Sequence, residues 1–199
     1  MQPQRRYRHI ALRASWMLLS LLALHGCQDG SLSLGEVLGT TKAAETASRM
    51  GFVAAGRHHT LSVRSDGTVW AWGDNTHGQL GNGSLQDQRV PVRAWGLWNI
   101  SAVGAGDLHS LALKSDGTVW TWGNNLNGQL GDGTTTGRQV PASVPTLHAV
   151  TKVAAGFSHS LALKSDGTVW AWGSNGAGRL GDGTTTQRLT PVQVQGLPP

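Results

Sequence analysis

The sequence predicts an all-β fold, a β-propeller-type array of three four-stranded blades that is incomplete as a ring. Three observations predict it. One pattern of glycine, histidine, tryptophan and proline returns at a fixed interval, each copy contains four segments of strand length, and one of these alternates large with small side chains. Four short strands per repeat, arranged radially, is the organisation of a propeller blade.

The repeat covers residues 50–199 without insertion or deletion. Residues that recur at intervals of 50 include Gly56, Gly106 and Gly156; His59, His109 and His159; Trp70, Trp120 and Trp170; and Pro91, Pro141 and Pro191. Regular self-similarity of this kind is the signature of a repeat architecture. We therefore expect one blade each at residues 50–99, 100–149 and 150–199.

The strands of a blade are clearest in the third copy. A first strand is expected at residues 150–154. A hairpin joins strands at 161–164 and 168–172 through Ser-Asp-Gly, because Asp-Gly supplies the positive φ angles that a tight turn needs. A fourth strand at 189–194 contains a proline, which cannot donate to a ladder, so this strand is expected at an edge of the sheet.

The third strand of each blade predicts how the blades pack. Two tryptophans share one face of the strand, whereas smaller residues share the other. We expect the tryptophan face of one blade to rest on the small-residue face of its neighbour. The predicted structural core of the repeats therefore includes Trp70, Trp72, Trp120, Trp122, Trp170 and Trp172.

The three repeated histidines are the most tempting constellation for chemistry. Equivalent positions of a propeller lie on a ring, which suggests a zinc site, but ligands must converge within a few Å and blade-equivalent residues usually lie farther apart. We therefore expect His59, His109 and His159 to belong to the structural core, each hydrogen-bonding the neighbouring blade.

Two tryptophans, Trp95 and Trp98, lie outside the repeated pattern, in the connector between the first and second copies. They are candidates for a contact surface, and local packing is the alternative that the sequence leaves open.

No catalytic, cofactor-binding or metal site is expected. Asp132 and Asp182 stand beside glycines and are interpreted as turn residues rather than calcium ligands, because Asn82 replaces them in the first copy. The sequence also lacks a Ser/His/Asp order, paired carboxylates and the lysine of a phosphate-binding loop.

The first 26 residues are expected to be a signal peptide of the lipoprotein type. A stretch with four arginines precedes an apolar run at residues 16–24, which is shorter than the ~20 residues that span a bilayer. The run ends shortly before Cys27, the only cysteine, which cannot form an internal disulfide. Residues 24–27 resemble the lipobox of bacterial lipoproteins, with His25 standing where a small residue is usual.

This resemblance implies that Cys27 is lipidated and that residues 27–49, rich in small and polar residues, form a flexible linker. The protein is then expected to be exported and lipid-anchored to a membrane of the bacterial cell envelope, on its periplasmic or surface face. An ordinary secretory leader with an incidental cysteine is the alternative.

The net charge of +5 does not indicate a nucleic-acid partner. Four of the 16 Lys and Arg residues lie in the leader, which contains no acidic residue, so the other 12 face 11 Asp and Glu residues. The repeats are therefore nearly neutral and lack the basic excess typical of nucleic-acid binding.

The repeated motifs resemble a known family. Val-Ala-Ala-Gly, His-(Ser/Thr)-Leu, Ser-Asp-Gly-Thr-Val-Trp-x-Trp-Gly and Gly-(Gln/Arg)-Leu-Gly together resemble the regulator of chromosome condensation repeat of RCC-type, alpha-tubulin suppressor-like proteins. The resemblance implies a propeller. The family includes a guanine-nucleotide exchange factor on chromatin, a plant ultraviolet-B photoreceptor and bacterial inhibitors of β-lactamase. Together with the leader, the resemblance suggests a bacterial exported lipoprotein member.

The expected function is that of a non-enzymatic protein-binding module at the cell envelope, with a protein partner still to be identified and no cofactor. Regulation of a small GTPase by guanyl-nucleotide exchange is the alternative that the resemblance implies, although an export leader would separate the protein from a cytosolic GTPase. Carbohydrate binding through Trp95 and Trp98 is the second alternative.

Three blades form an open arc, because propellers typically close with about 4–8 blades. Two interpretations follow from the sequence. Either the chain is a fragment of a longer array, or it closes by self-association, most simply of two chains that together supply six blades.

Overall fold

The computed structural model describes residues 52–197, and all regular secondary structure in this range is β-strand. Blade 1 contains β1 (Val53–Ala55), β2 (His59–Val63), β3 (Val69–Gly73) and β4 (Gln88–Arg93). Blade 2 contains β5 (Ile100–Ala105), β6 (His109–Lys114), β7 (Val119–Gly123) and β8 (Arg138–Ser143). Blade 3 contains β9 (Val150–Ala155), β10 (His159–Lys164), β11 (Val169–Gly173) and β12 (Arg188–Gln193).

Each blade is one four-stranded sheet whose strands pair in sequence order and are antiparallel. The prediction of an all-β array of three four-stranded blades is therefore confirmed. Residues 52–197 include no helix that could cross a bilayer. The predicted signal peptide (1–26), the predicted lipidation site Cys27 and the predicted linker (27–49) lie outside the described residues.

The hairpin turn between the second and third strands differs from the expectation that Asp and Gly both adopt positive φ angles. Only its glycine has a positive φ, 83° at Gly167, whereas Asp166 does not. Two main-chain bonds close the turn: the Gly167 N–H donates to Lys164 O at 3.1 Å, and the Lys164 N–H donates to Thr168 O at 2.9 Å. The Asp166 carboxylate accepts bonds from the Thr168 N–H (2.9 Å) and hydroxyl (2.6 Å), so the aspartate stabilises the turn through its side chain.

The fourth strand of every blade is an edge strand, and it carries the repeated proline. Its ladder with the third strand shifts register beside the second tryptophan of that strand, for example between Ala71 and Gly73 in blade 1. Proline is tolerated here because the strand bonds a neighbour on one side only.

The hydrophobic cores lie between blades. One core joins Leu61, Val69 and Ala71 of blade 1 to Ala112 and Trp122 of blade 2. The equivalent core joins blade 2 to blade 3 through Trp172. The tryptophan face of each following blade thus rests on the aliphatic face of the preceding one, as the alternation of large and small residues predicted.

Candidate functional site

The repeated histidines lie at the joints between consecutive blades, at the first position of β2, β6 and β10. His59 Nε2 lies 2.9 Å from Ser110 Oγ of the next blade, and His109 Nε2 lies 3.0 Å from Ser160 Oγ. Among the described residues, the His159 side chain has no such partner, since blade 3 is the last of the three.

Each of these serines also donates a hydrogen bond to a main-chain oxygen. Ser110 Oγ donates to Gln79 O at 2.8 Å, and Trp122 Nε1 donates to the same oxygen at 2.7 Å. The second joint repeats the arrangement, in which Ser160 (2.9 Å) and Trp172 (2.8 Å) both donate to Gln129 O. We call this set of histidine, serine, main-chain carbonyl and tryptophan a blade joint.

The blade joint determines the tautomer of its histidine. Because the Ser110 hydroxyl proton is directed at Gln79 O, the serine oxygen accepts from His59, and the imidazole donates from Nε2. Nδ1 of His59 is then an acceptor and is buried without a partner among the described residues. Burial lowers the pKa of His59 to about 4 and that of His109 to about 3, so both rings are neutral at pH 7.

A glycine just before each histidine leaves room for the imidazole ring. A Cβ atom on Gly56 would lie 2.6 Å from His59 Nδ1 and 2.6 Å from the main-chain oxygen of Gly106. Gly106 has the same surroundings, with His109 and Gly156 O as its neighbours. Glycine recurs at these positions because neighbouring blades approach too closely for a side chain where their first strands, β1, β5 and β9, end.

The six repeated tryptophans fall into two groups. Trp122 and Trp172 are fully buried between blades. Trp72 has no preceding blade among the described residues and is only partly buried. The first tryptophan of each pair is also partly buried and lies under a cation, as where Lys114 Nζ is 4.7 Å from the centre of the Trp120 ring.

The two tryptophans outside the repeat remain largely exposed, Trp95 by 58% and Trp98 by 55%. Both also pack locally. The Trp95 ring lies over Gly83, whereas Trp98 lies 4.2 Å from Lys114 Nζ, the same ammonium that caps Trp120. One face of each indole is therefore engaged, and much of its surface is accessible, so a contact surface at Trp95 and Trp98 stays a prediction.

One asparagine per blade organises the glycine-rich loop, and the sequence analysis did not single it out. Asn125 Oδ1 accepts from the Leu130 N–H at 2.9 Å, while its Nδ2 donates to Thr134 O and Thr136 O at 3.0 and 3.1 Å. Asn75 and Asn175 make equivalent bonds. Their recurrence at intervals of 50 was the available signal.

The loop aspartates act within the turns. Asp182 pairs with Arg188 Nε at 2.6 Å and accepts from the Thr184 N–H at 3.0 Å, and these contacts hold the pKa of its carboxyl well below the usual range. Asp132 pairs likewise with Arg138. Within residues 52–197, no cluster of three histidine, cysteine, aspartate or glutamate side chains is arranged to bind a metal ion.

The strongest candidate for a binding surface lies where the inner strands β1, β5 and β9 end. Residues 55–57, 105–107 and 155–157 line a shallow depression of about 470 Å³, which we call the axial mouth. The residue after the repeated glycine differs in each blade: Arg57, Asp107 and Phe157. Arg57 and Phe157 are each 60% exposed, and Arg57 Nη1 lies 3.5 Å from the buried Asp107 carboxylate.

The axial mouth thus exposes a cation and an aromatic ring, with a buried carboxylate paired to the cation, on a framework that is otherwise repeated. The sequence analysis did not identify these three residues, because they are separated by 50 residues and share no residue type.

Comparison with known proteins agrees with this architecture. The family model of the regulator of chromosome condensation (RCC1) repeat matches residues 66–113, 116–163 and 166–199, and a second model of the same repeat matches residues 52–79, 100–129 and 150–179. Each match of the first model begins in the hairpin turn of a blade. The first two matches end in the second strand of the following blade, so that one family repeat spans a blade joint.

Similar proteins are much longer than this chain. Human E3 ubiquitin-protein ligase HERC2 is 51% identical over 45 residues, which is 23% of this chain and 1% of HERC2. Human WBSCR16 is similar in structure with a TM-score of 0.63 and 27% identity, over 72% of this chain and 37% of that chain. Yeast RCC1 (Prp20), in a structure bound to Kap60, has a TM-score of 0.64 and 23% identity, over 72% and 36%. The chain therefore spans little more than a third of these two solved structures.

Proposed function

Because the chain belongs to the regulator of chromosome condensation (RCC1) repeat family, we propose that it is a non-enzymatic module that binds a protein partner at the bacterial cell envelope. The axial mouth is the proposed contact surface. Loops on a rigid scaffold are common sites of recognition, and yeast RCC1 (Prp20) is bound to Kap60 in a solved structure.

The observation that carries this proposal is the contrast between scaffold and mouth. The two blade joints are built from the same residue types. At the axial mouth, by contrast, the three blades carry different residues, Arg57, Asp107 and Phe157, at equivalent positions. An exposed arginine and an exposed aromatic ring that line the same depression are typical of residues that contribute strongly to protein interfaces.

Affinity capture from envelope extracts with the full chain tests the mouth. The wild-type chain is compared with a variant carrying Arg57→Ala and Phe157→Ala, and with a control variant carrying Val90→Ala and Leu126→Ala. Both control residues are well exposed and lie outside the mouth. We expect a protein that wild type and control retain and the mouth variant loses. Equal retention by all three chains would contradict the proposal.

The envelope location depends on Cys27, and we propose that a diacyl modification there attaches the protein to a membrane. Two acyl chains give stable attachment, whereas a single chain gives only marginal binding. Cys27→Ser is expected to shift the mature mass and release the protein into the soluble fraction. Unchanged mass and membrane association would argue against lipidation.

Carbohydrate binding is a second candidate function, favoured by the exposure of Trp95 and Trp98. Glycan titrations followed by tryptophan fluorescence distinguish it from protein binding. A saturable change that Trp95→Ala or Trp98→Ala abolishes would favour carbohydrate, and the mouth variant should then bind the glycan normally. Guanyl-nucleotide exchange is tested separately, by nucleotide release from small GTPases.

A further inference from the structure

Blade 3 presents one half of a blade joint that no described residue completes. The equivalent groups in blades 1 and 2 are covered by the next blade. A Cβ atom on Gly131 would lie 2.8 Å from Trp172 Nε1, and the Gly133 N–H donates to Leu189 O at 2.9 Å. Blade 1 has the same relation to blade 2 through Gly81 and Gly83, with Trp122 and Gln139 as partners.

In blade 3 these positions face a cavity of about 830 Å³ lined by Gly178, Gly181 and Gly183. No atom lies within 4 Å of a Cβ placed on Gly183, and the atom nearest to one on Gly181 belongs to Val194 of the same blade. Among residues 52–197, His159 Nε2, the Gly183 N–H and the main-chain oxygen of Arg179 have no hydrogen-bond partner.

Blade 1 presents the other half on its opposite face. Thr60 stands at the position of Ser110 and Ser160, Trp72 at the position of Trp122 and Trp172, and Arg89 at the position of Gln139 and Leu189. Threonine carries the same hydroxyl chemistry as serine, so the set of donors and acceptors is complete. Trp72 is only partly buried, whereas its two equivalents are fully buried.

We propose that two copies of this chain associate head to tail, with blade 1 of one copy on blade 3 of the other. Trp72 Nε1 and the Thr60 hydroxyl then donate to Arg179 O of the other copy, His159 Nε2 donates to Thr60, and the Gly183 N–H donates to Arg89 O. Two such joints link the described blades of the two copies, three from each.

A second copy is the occupant favoured by the structure because both halves of the joint are on this chain and the complete joint is built twice within it. A contact between two different faces of the same molecule is heterologous, and it closes into a ring when the rotation permits. The same association would complete the burial of the Trp72 indole, which is only partly buried within one copy.

Co-expression of two differently tagged copies of the full chain tests the proposal. We expect one copy to co-purify with the other, with a native mass of twice that of one chain. Trp72→Ala, which alters the blade 1 face, and His159→Ala, which alters the blade 3 face, should each reduce co-purification at least tenfold. Trp98→Ala is the matched control, because Trp98 is an exposed tryptophan outside the joint. This substitution should leave co-purification unchanged.

Mixing the two variants tests the head-to-tail geometry. A Trp72→Ala chain retains an intact blade 3 face, and a His159→Ala chain retains an intact blade 1 face, so the mixed pair has one complete joint and should regain association. The proposal is overturned if the wild-type chain is monomeric, or if Trp72→Ala associates as well as Trp98→Ala. It is also overturned if the mixed pair associates no better than either variant alone.

Discussion

At the scale of single residues, each blade joint depends on one main-chain oxygen. Gln79 O accepts from Ser110 and from Trp122, and an amide carbonyl has two lone pairs, so both donors are satisfied. The histidine completes the set by donating to the serine. Since all these groups are buried, loss of one leaves another without a partner, which typically costs about 1–3 kcal/mol.

The neutral histidines predict that stability depends on pH. The folded-state pKa of His59 is about 4 against an unfolded value near 6.5, and that of His109 is about 3. The unfolded chain therefore binds more protons in this range, so stability is complete above pH ~6.5 and falls as the pH is lowered towards 4. Protonation of His59 alone corresponds to a loss of about 3 kcal/mol.

Denaturant unfolding at pH 7, 6, 5 and 4.5 measures this loss of unfolding free energy. All four pH values lie above the ordinary pKa of aspartate. His109→Gln should make the dependence less steep, because glutamine does not titrate, and the part due to His59 should remain. A wild-type stability that stays constant between pH 7 and 4.5 would show that the histidines are not buried in neutral form.

The glycines beside the histidines give a second prediction at this scale. Gly106→Ala would place a Cβ 2.7 Å from Gly156 O and against the His109 ring, so thermal or denaturant unfolding should show a loss of about 1–3 kcal/mol. Gly176→Ala is the control, since nothing lies within 4 Å of its Cβ, and it should be neutral or slightly stabilising. Equal losses would indicate that the inner strands are not in close contact.

At the scale of elements, the period of 50 residues and the alternation within one strand were enough to predict the blades and the faces that meet between them. Two features escaped the sequence analysis for physical reasons. The acceptor of the joint is a main-chain oxygen, so nothing in the side chain of Gln79 marks it. The axial mouth brings together Arg57, Asp107 and Phe157, whose convergence follows from the curvature of the array rather than from any local pattern.

The loop asparagine provides a prediction for an element. Asn125→Asp keeps the shape but directs a carboxylate at the oxygens of Thr134 and Thr136, which accept from Asn125 Nδ2 in the wild-type protein. An uncompensated buried charge typically costs about 3–5 kcal/mol. Hydrogen exchange should show residues 131–137 opening first. Asn127→Asp, whose side chain bonds no described residue, should change neither quantity appreciably, and a similar response in both variants would contradict the role of Asn125.

At the scale of the described array, its stability comes from contacts between blades, because the cores lie there. Trp122 belongs to such a core and Trp72, its equivalent in blade 1, has no preceding blade among the described residues. Trp122→Ala is therefore expected to cost about 3–5 kcal/mol of unfolding free energy. Trp72→Ala should cost clearly less at concentrations where the chain is monomeric, and equal losses would indicate that blade packing is not the main source of stability.

The most direct test of the repeated blade joint is hydrogen exchange of the indole N–H groups, followed by NMR on the full chain. The joints predict slow exchange for Trp122 and Trp172, whose Nε1 atoms donate to buried carbonyls at 2.7 and 2.8 Å, and fast exchange for the exposed Trp95 and Trp98. Trp72 should become protected only when two copies associate. If Trp122 and Trp172 exchange as fast as Trp95 and Trp98, the blades are not joined in the way described.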